Sequence, residues 1–147
     1  MTIALVERIY PSDPSDLVPS ITPDNEPYWS GLSRGELLVQ GCIDCKRLRF
    51  PMMPVCPKCG STESDWQPLS GKGQVFSWVR YQRSFLQEFA DLMPYVVITA
   101  ELDKGVRIVG RLIDKDVTPE IGAPVWMMRE LWPNGRHVPV FSLKEKI

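Results

Sequence analysis

The sequence predicts a mainly β protein in which a short N-terminal helical segment is followed by a four-cysteine metal ribbon and a small five-stranded barrel. Three observations carry this reading. All four cysteines fall within "CIDCKRLRFPMMPVCPKC", spaced as two CxxC pairs with ten residues between them. From Gly71 onward, five short runs rich in β-branched and aromatic residues are separated by turn signals. And 147 residues at 44% hydrophobic suffice for one ordinary core with a small appendage.

Taken in order, residues 1–24 read as an extended arm. Five prolines between Pro11 and Pro27 each fix their own φ and bias the preceding residue away from helix, so no regular structure is expected before Asn25. Residues 25–41 form the helical segment and lead-in. Asn25 stands at a capping position, Pro27 in the first turn, and Tyr28, Leu32 and Gly35 at neighbouring helical positions. "LLVQG" then reads as a strand leading into the cysteines.

Residues 42–66 make up the ribbon. A CxxC turn aims two sulfurs at one point while its backbone N–H groups stabilise them, and two such knuckles build the tetrahedral four-thiolate site that zinc prefers. Cys42, Cys45, Cys56 and Cys59 are the predicted ligands. Gly60 follows the second knuckle, where positive φ is needed, whereas Lys46 occupies the equivalent place after the first. A closed site of this kind is structural, with no open position for water or substrate. Iron fits the same ligand set. A dithiol redox centre fits less well, because such motifs open a helix in a βαβ context and do not come in two adjacent copies.

Residues 67–147 make up the barrel. Its strands are "GQVFSWVRYQ", "PYVVITAEL", "GVRIVGRLI", "APVWMMREL" and "HVPVFSL", with "LDKG" a tight hairpin and "DKDVTPEIG" long enough for one helical turn. Five strands in about seventy residues, with a longer connection after the third, is the plan of an OB-fold. A small sandwich or an SH3-like barrel is the alternative. Between the first two strands, "RSFLQEFADLM" places Phe85, Leu86, Phe89 and Leu92 at helical spacing in a candidate contact loop.

The segments "YWSGLSRGEL", "CIDCKRLRFPMMPVCPKCGS", "WQPLSGKGQVFSW", "PYVVITAELDKGVRIVGRLID" and "IGAPVWM" together resemble the family known as domain of unknown function thirty-five, from about Tyr28 to Phe141. The resemblance implies an N-terminal helical segment, a rubredoxin-like zinc ribbon and a C-terminal OB-fold. It further implies an accessory subunit of a thiolase-superfamily enzyme acting on acyl-CoA, held in a hetero-oligomer. Two departures stand out: Pro51, Met52, Met53 and Pro54 where the family often has proline-proline-arginine, and Gln82 where many members carry histidine.

The residues themselves agree by subtraction. No cysteine is free to act as a nucleophile once four are assigned to metal. The single histidine, His137, follows a turn, and Asp114, Asp116, Glu101 and Asp103 read as solvated turn carboxylates. Binding is easier to support. Lys72, Arg80 and Arg83, near Tyr81 and Phe85, are the candidate contacts to CoA, and simple strand alternation puts Val75, Ser77, Val79 and Tyr81 on one face. Tyr28, Trp29, Phe85, Phe89 and Trp132 are the candidate partner interface, because the chain carries more large aromatic side chains than a small barrel encloses.

Seventeen basic against 18 acidic residues give a formal net charge of -1, which disfavours nucleic acid. A single-strand-binding OB-fold and an iron–thiolate electron carrier are the competing readings. The sequence holds no run of the ~18 apolar residues a membrane span needs, and with reduced cysteines the expected compartment is the cytoplasm.

Overall fold

The computed structural model describes residues 2–145. Its elements are β1 (Ala4–Glu7), α1 (Glu26–Ser33), β2 (Leu37–Cys42), β3 (Leu48–Arg49), β4 (Ser64–Leu69), β5 (Lys72–Tyr81), β6 (Tyr95–Leu102), β7 (Arg107–Leu112), β8 (Pro124–Leu131) and β9 (His137–Ser142). Short 3-10 turns cover Ser15–Leu17, Gln87–Leu92 and Asp103–Gly105. Among the described residues, no helix is long and apolar enough to cross a membrane.

Strands β5 to β9 close a barrel. β5 pairs antiparallel with β6, and β6 with β7; β7 then runs parallel to β9, which pairs with β8, and β8 returns to β5. That circuit, with its one parallel step, is the OB-fold plan expected from the five runs. Val75, Ile98, Ala100, Ile108, Val125, Met127 and Phe141 form its interior. At Gly73 the strands approach so closely that a Cβ would lie 2.2 Å from the Glu101 carbonyl oxygen, so only glycine fits there.

The ribbon is a second sheet, ordered β3-β2-β4. Helix α1 lays Tyr28 and Leu32 against it and against the barrel, so that Leu37, Val39, Tyr28 and the barrel residues share one hydrophobic cluster. Pro27 sits in the first turn as expected. Asn25 occupies the capping position, but its side chain turns back to accept from the Thr22 N–H (2.7 Å) and donate to the Ser20 carbonyl (3.1 Å). Gly35, at φ 85°, ends the helix, with its N–H on the Leu32 carbonyl and the Glu36 N–H on that of Gly31.

Three expectations need correction. The arm is not irregular up to Asn25: β1 pairs in parallel with Met128–Leu131, Ile3 is buried, and Pro14 is buried beside the 3-10 turn. Beyond Trp126, β8 has left β5, and β1 covers the ladder edge that would otherwise be bare. The connection "DKDVTPEIG" contains no helical turn; Asp116 bends it at φ 58°. Nor does simple alternation survive along β5. A bulge between Val75 and Ser77 adds Phe76 as an extra residue, so Val75 points inward, Phe76 and Ser77 both face out, and Trp78 and Arg80 take the more covered side.

Candidate functional site

The two knuckles are near copies. Lys46 N–H returns to the Cys42 carbonyl and Gly60 N–H to that of Cys56, each 2.9 Å; Cys42 N–H donates to Arg47 and Cys56 N–H to Ser61. Both turns require positive φ, which Lys46 adopts at 65° and Gly60 at 79°. Lys46 thus holds a left-handed conformation that costs a side-chain-bearing residue more than it costs Gly60.

This geometry brings the four sulfurs together. Cys42 and Cys59 Sγ lie 3.5 Å apart, Cys45 and Cys56 Sγ 3.6 Å, and all four fall within 4.8 Å of one another. A tetrahedral four-thiolate site with metal–sulfur bonds near 2.3 Å has edges of about 3.8 Å, so the set fits a metal ion of that size. Backbone N–H groups of Cys59 and Lys58 pull the Cys56 thiol down to about 6, and the Cys45 N–H lowers Cys42. For Cys59, which is exposed, the Ser61 N–H acts in the same direction, but the crowding thiols of Cys42, Cys45 and Cys56 outweigh it and push the thiol up to about 12. The cluster is a structural metal site, because all four positions are taken by protein.

A buried network holds the second knuckle in place. Gln40 Oε1 accepts from Arg49 Nε (3.0 Å) and from the Met53 N–H (2.8 Å), while Arg49 Nη2 donates to the Met53 carbonyl (3.0 Å). Both side chains are buried, and together they grip the two peptide groups flanking Met53 in the loop that joins the knuckles. Gln40→Ala should free that loop and leave the Arg49 guanidinium short of an acceptor, costing about 1–3 kcal/mol. The check is metal retention against a chromophoric chelator, where the variant should release its ion several-fold faster than the parent.

The remaining candidates scatter. Lys72 opens β5, pairs with Glu145 at 3.6 Å, and stands some 26 Å from Arg80 along the strand by the usual rise per residue. Arg80 donates to the Val117 carbonyl (2.8 Å) and Thr118 Oγ1 (3.0 Å), pinning the loop after β7. Arg83 packs over Phe85. The proposed phosphate contacts are thus not one cluster: Arg80 and Arg83 share one end of the barrel, and Lys72 belongs to the other.

Of the predicted interface aromatics, Phe85 is 83% exposed. Tyr28 and Trp132 are buried, which corrects their assignment to an open surface: Tyr28 packs on Phe50 and Trp29, and Trp132 packs on Tyr10 and Phe89. Trp29 and Phe89 are half-buried, with Arg136 stacked on the Trp29 ring. The apolar surface that does remain lies partly on the outer face of β5 to β7, where Phe76, Val79, Tyr81 and Val109 are exposed. Sequence reasoning missed this face because it placed no bulge at Phe76.

His137 is no base. Its Nδ1 accepts from Arg129 Nη1 at 3.1 Å, and burial and then the Arg129 charge hold its pKa below the usual histidine value. Asp114 takes the Leu143 N–H (2.8 Å), and Glu101 binds Arg107 (3.0 Å). The carboxylate that matters was not singled out from sequence. Glu130, 2% exposed, accepts from Tyr10, Arg111 and Trp132 Nε1.

Two family models match the chain in series: the ChsH2 rubredoxin-like zinc ribbon domain over residues 29–65 and the ChsH2 C-terminal OB-fold domain over residues 66–128. A probable enoyl-CoA hydratase alpha subunit from Thermomonospora curvata is 38% identical over 73% of this chain and 33% of its own length. A DUF35 domain-containing scaffold protein from Methanocaldococcus jannaschii is 36% identical over 50% of this chain and 52% of its own. The benzoylsuccinyl-CoA thiolase subunit BbsA of Thauera aromatica is 30% identical, over 48% and 47%. The chain thus spans between 33% and 52% of these three proteins. Among solved structures, a chain of the Ltp2-ChsH2(DUF35) aldolase is 35% identical with a TM-score of 0.75, covering 85% of this chain and 98% of that one.

Proposed function

This chain belongs to the DUF35 family of ChsH2-type zinc ribbon and OB-fold proteins, and on that premise we propose that it is a non-catalytic accessory subunit of a thiolase-superfamily enzyme acting on acyl-CoA. The observation that carries the reading is the match to 98% of a chain of the Ltp2-ChsH2(DUF35) aldolase, at 35% identity. Relatives described as a scaffold protein and as subunits of a hydratase and a thiolase support it. The ribbon's metal is zinc in this reading, since a closed four-thiolate tetrahedron is its preferred structural site and the matching family model is a zinc ribbon.

The chemistry of the chain supports an assisting role. Its thiols face one another, and its histidine is bound to an arginine. Its apolar exposure, in contrast, suits a partner: the Arg83–Leu86 loop carries Phe85, and the outer face of β5 to β7 carries Phe76 with the Arg107 guanidinium 3.7 Å from its ring centre. Arg80 and Arg83, at the loop end of β5, are the more suitable of the proposed CoA contacts.

Assembly with a thiolase-superfamily subunit tests this. Phe85→Ala should weaken the hetero-oligomer at least tenfold, the effect of losing an interface aromatic worth about 2 kcal/mol. Far-UV circular dichroism should stay unchanged, because the ring makes little contact within the chain. Equal affinity of variant and parent, measured by calorimetry, would move the interface off this loop; turnover of acyl-CoA by the isolated chain would overturn the accessory role.

A further inference from the structure

Three of the aromatic residues first assigned to a partner surface, Trp29, Phe89 and Trp132, converge on one cavity instead. It measures 350 Å³, and its walls come from the segment before α1, from α1 itself, from the 3-10 turn before β6 and from the outer face of the sheet at Val97 and Val138. None of its lining residues belongs to the ribbon. Its size falls within the ~300–1,000 Å³ range of small-molecule sites, and its walls have the apolar, aromatic character of such sites.

The polar groups at its floor decide what it takes. Glu130 is occupied and covered: Tyr10 O–H, Arg111 Nη2–H and Trp132 Nε1–H all donate to its two oxygens, and its side chain is 3% exposed. Arg111 is not. Among the described residues its guanidinium makes that one hydrogen bond, its side chain retains 14% exposure, and it lines the cavity. A guanidinium has five N–H donors, so Arg111 keeps hydrogen to offer an incoming oxygen, whereas Glu130 is covered by its own three donors. The Arg111–Glu130 pair is also neutral overall. A carboxylate entering the cavity would bury an uncompensated negative charge, and a plain hydrocarbon would leave donors unpaired.

We propose that this cavity binds an uncharged apolar chain or ring system bearing a carbonyl oxygen, as the acyl portion of an acyl thioester does, with Arg111 donating to that oxygen. The chemical class follows from walls and floor; its source in acyl-CoA rests on the accessory-subunit reading. The aromatics then have a role inside the chain, as walls, and the segment before α1 is the flap that completes the site.

The test uses the full chain with Trp29 and Trp132 as fluorescent reporters. Titration with 2-decanone should give a saturable change, and decanoate should bind at least tenfold more weakly at pH 8. Val97→Phe fills the cavity from the exposed face of β6 and should abolish the 2-decanone response while the thermal melt is retained. Glu130→Gln removes the floor's negative charge and should erase the preference, with decanoate gaining at least tenfold relative to the parent. Should that variant fail to fold, Val97→Phe still decides. No saturable response, equal affinity of the parent for ketone and carboxylate, or an unchanged response in Val97→Phe would each overturn the proposal. Assembly measured on the same samples separates the two readings. A parent chain that assembles with a thiolase-superfamily enzyme but ignores 2-decanone overturns the cavity alone, and one that binds 2-decanone but assembles with no such enzyme supports the cavity and overturns the accessory role.

Discussion

Cys56→Ser should strip the ribbon of its metal and, with it, abolish assembly. Cys56 is buried, its N–H and carbonyl close the second knuckle, and its sulfur lies 3.6 Å from that of Cys45. The ribbon has little else to hold it: β3 is two residues long, and the loop from Phe50 to Val55 contains no regular element. Structural zinc in small domains contributes about 10–16 kcal/mol of apparent binding energy, coupled to folding, and Cys56→Ser removes one of its four thiolates and with it the closed shell. The loss should spread, because Leu37 and Val39 of β2 belong to the same cluster as the barrel core. Metal content by plasma mass spectrometry should fall from one equivalent to a trace, and the melting temperature should drop by at least about 10 °C. A metal-free variant that still assembles would sink the structural role of the site.

Glu130→Ala should be the most damaging single change in the barrel. It leaves Arg111 without its counter-charge and orphans the donors of Tyr10 and Trp132 in a covered site. Breaking a buried pair from one side costs about 3–5 kcal/mol, which for a chain of this size lowers the melting temperature by about 10 °C. Glu101→Ala is the contrast. Its pair with Arg107 is partly solvated, with side chains 27% and 51% exposed, and should be worth less than about 1 kcal/mol. The same site predicts an alkaline effect. Burial, then the bond to Glu130, raises the Tyr10 phenol from 10.0 to about 12, so the folded state holds a proton that the unfolded chain releases first. That contribution is fully present below pH 10 and is lost as pH rises through about 12. Urea denaturation across this window should show a steeper loss in the parent than in Tyr10→Phe.

The barrel was legible because each of its strands carries a local signal, a β-branched run with a glycine or proline at one end, and three of its five ladders join neighbours in sequence, leaving only the parallel β7–β9 step and the β5–β8 closure to be non-local. The metal site was legible because ligand spacing is itself local. What escaped is non-local. β1 is four residues whose partner lies over a hundred positions away, and nothing in "IALVE" declares it. The Phe76 bulge reverses the faces of β5 without leaving a glycine to mark it. The aromatic excess was real, but a count cannot say whether a ring turns outward, as Phe85 does, or lines a cavity, as Trp29 and Phe89 do. One usable signal was overlooked. Alternation in "VWMMREL" puts Glu130 on the face of Trp126 and Met128, and a carboxylate there demands a buried partner, which "RIVGRLI" supplies as Arg111.

The measurement that bears most directly on the accessory-subunit account is affinity purification of the tagged chain from its native cells, with nuclease treatment and identification by mass spectrometry. The account predicts a thiolase-superfamily enzyme in near-stoichiometric amount, lost with Cys56→Ser. Recovery of the chain alone, or bound only to nucleic acid, would contradict it.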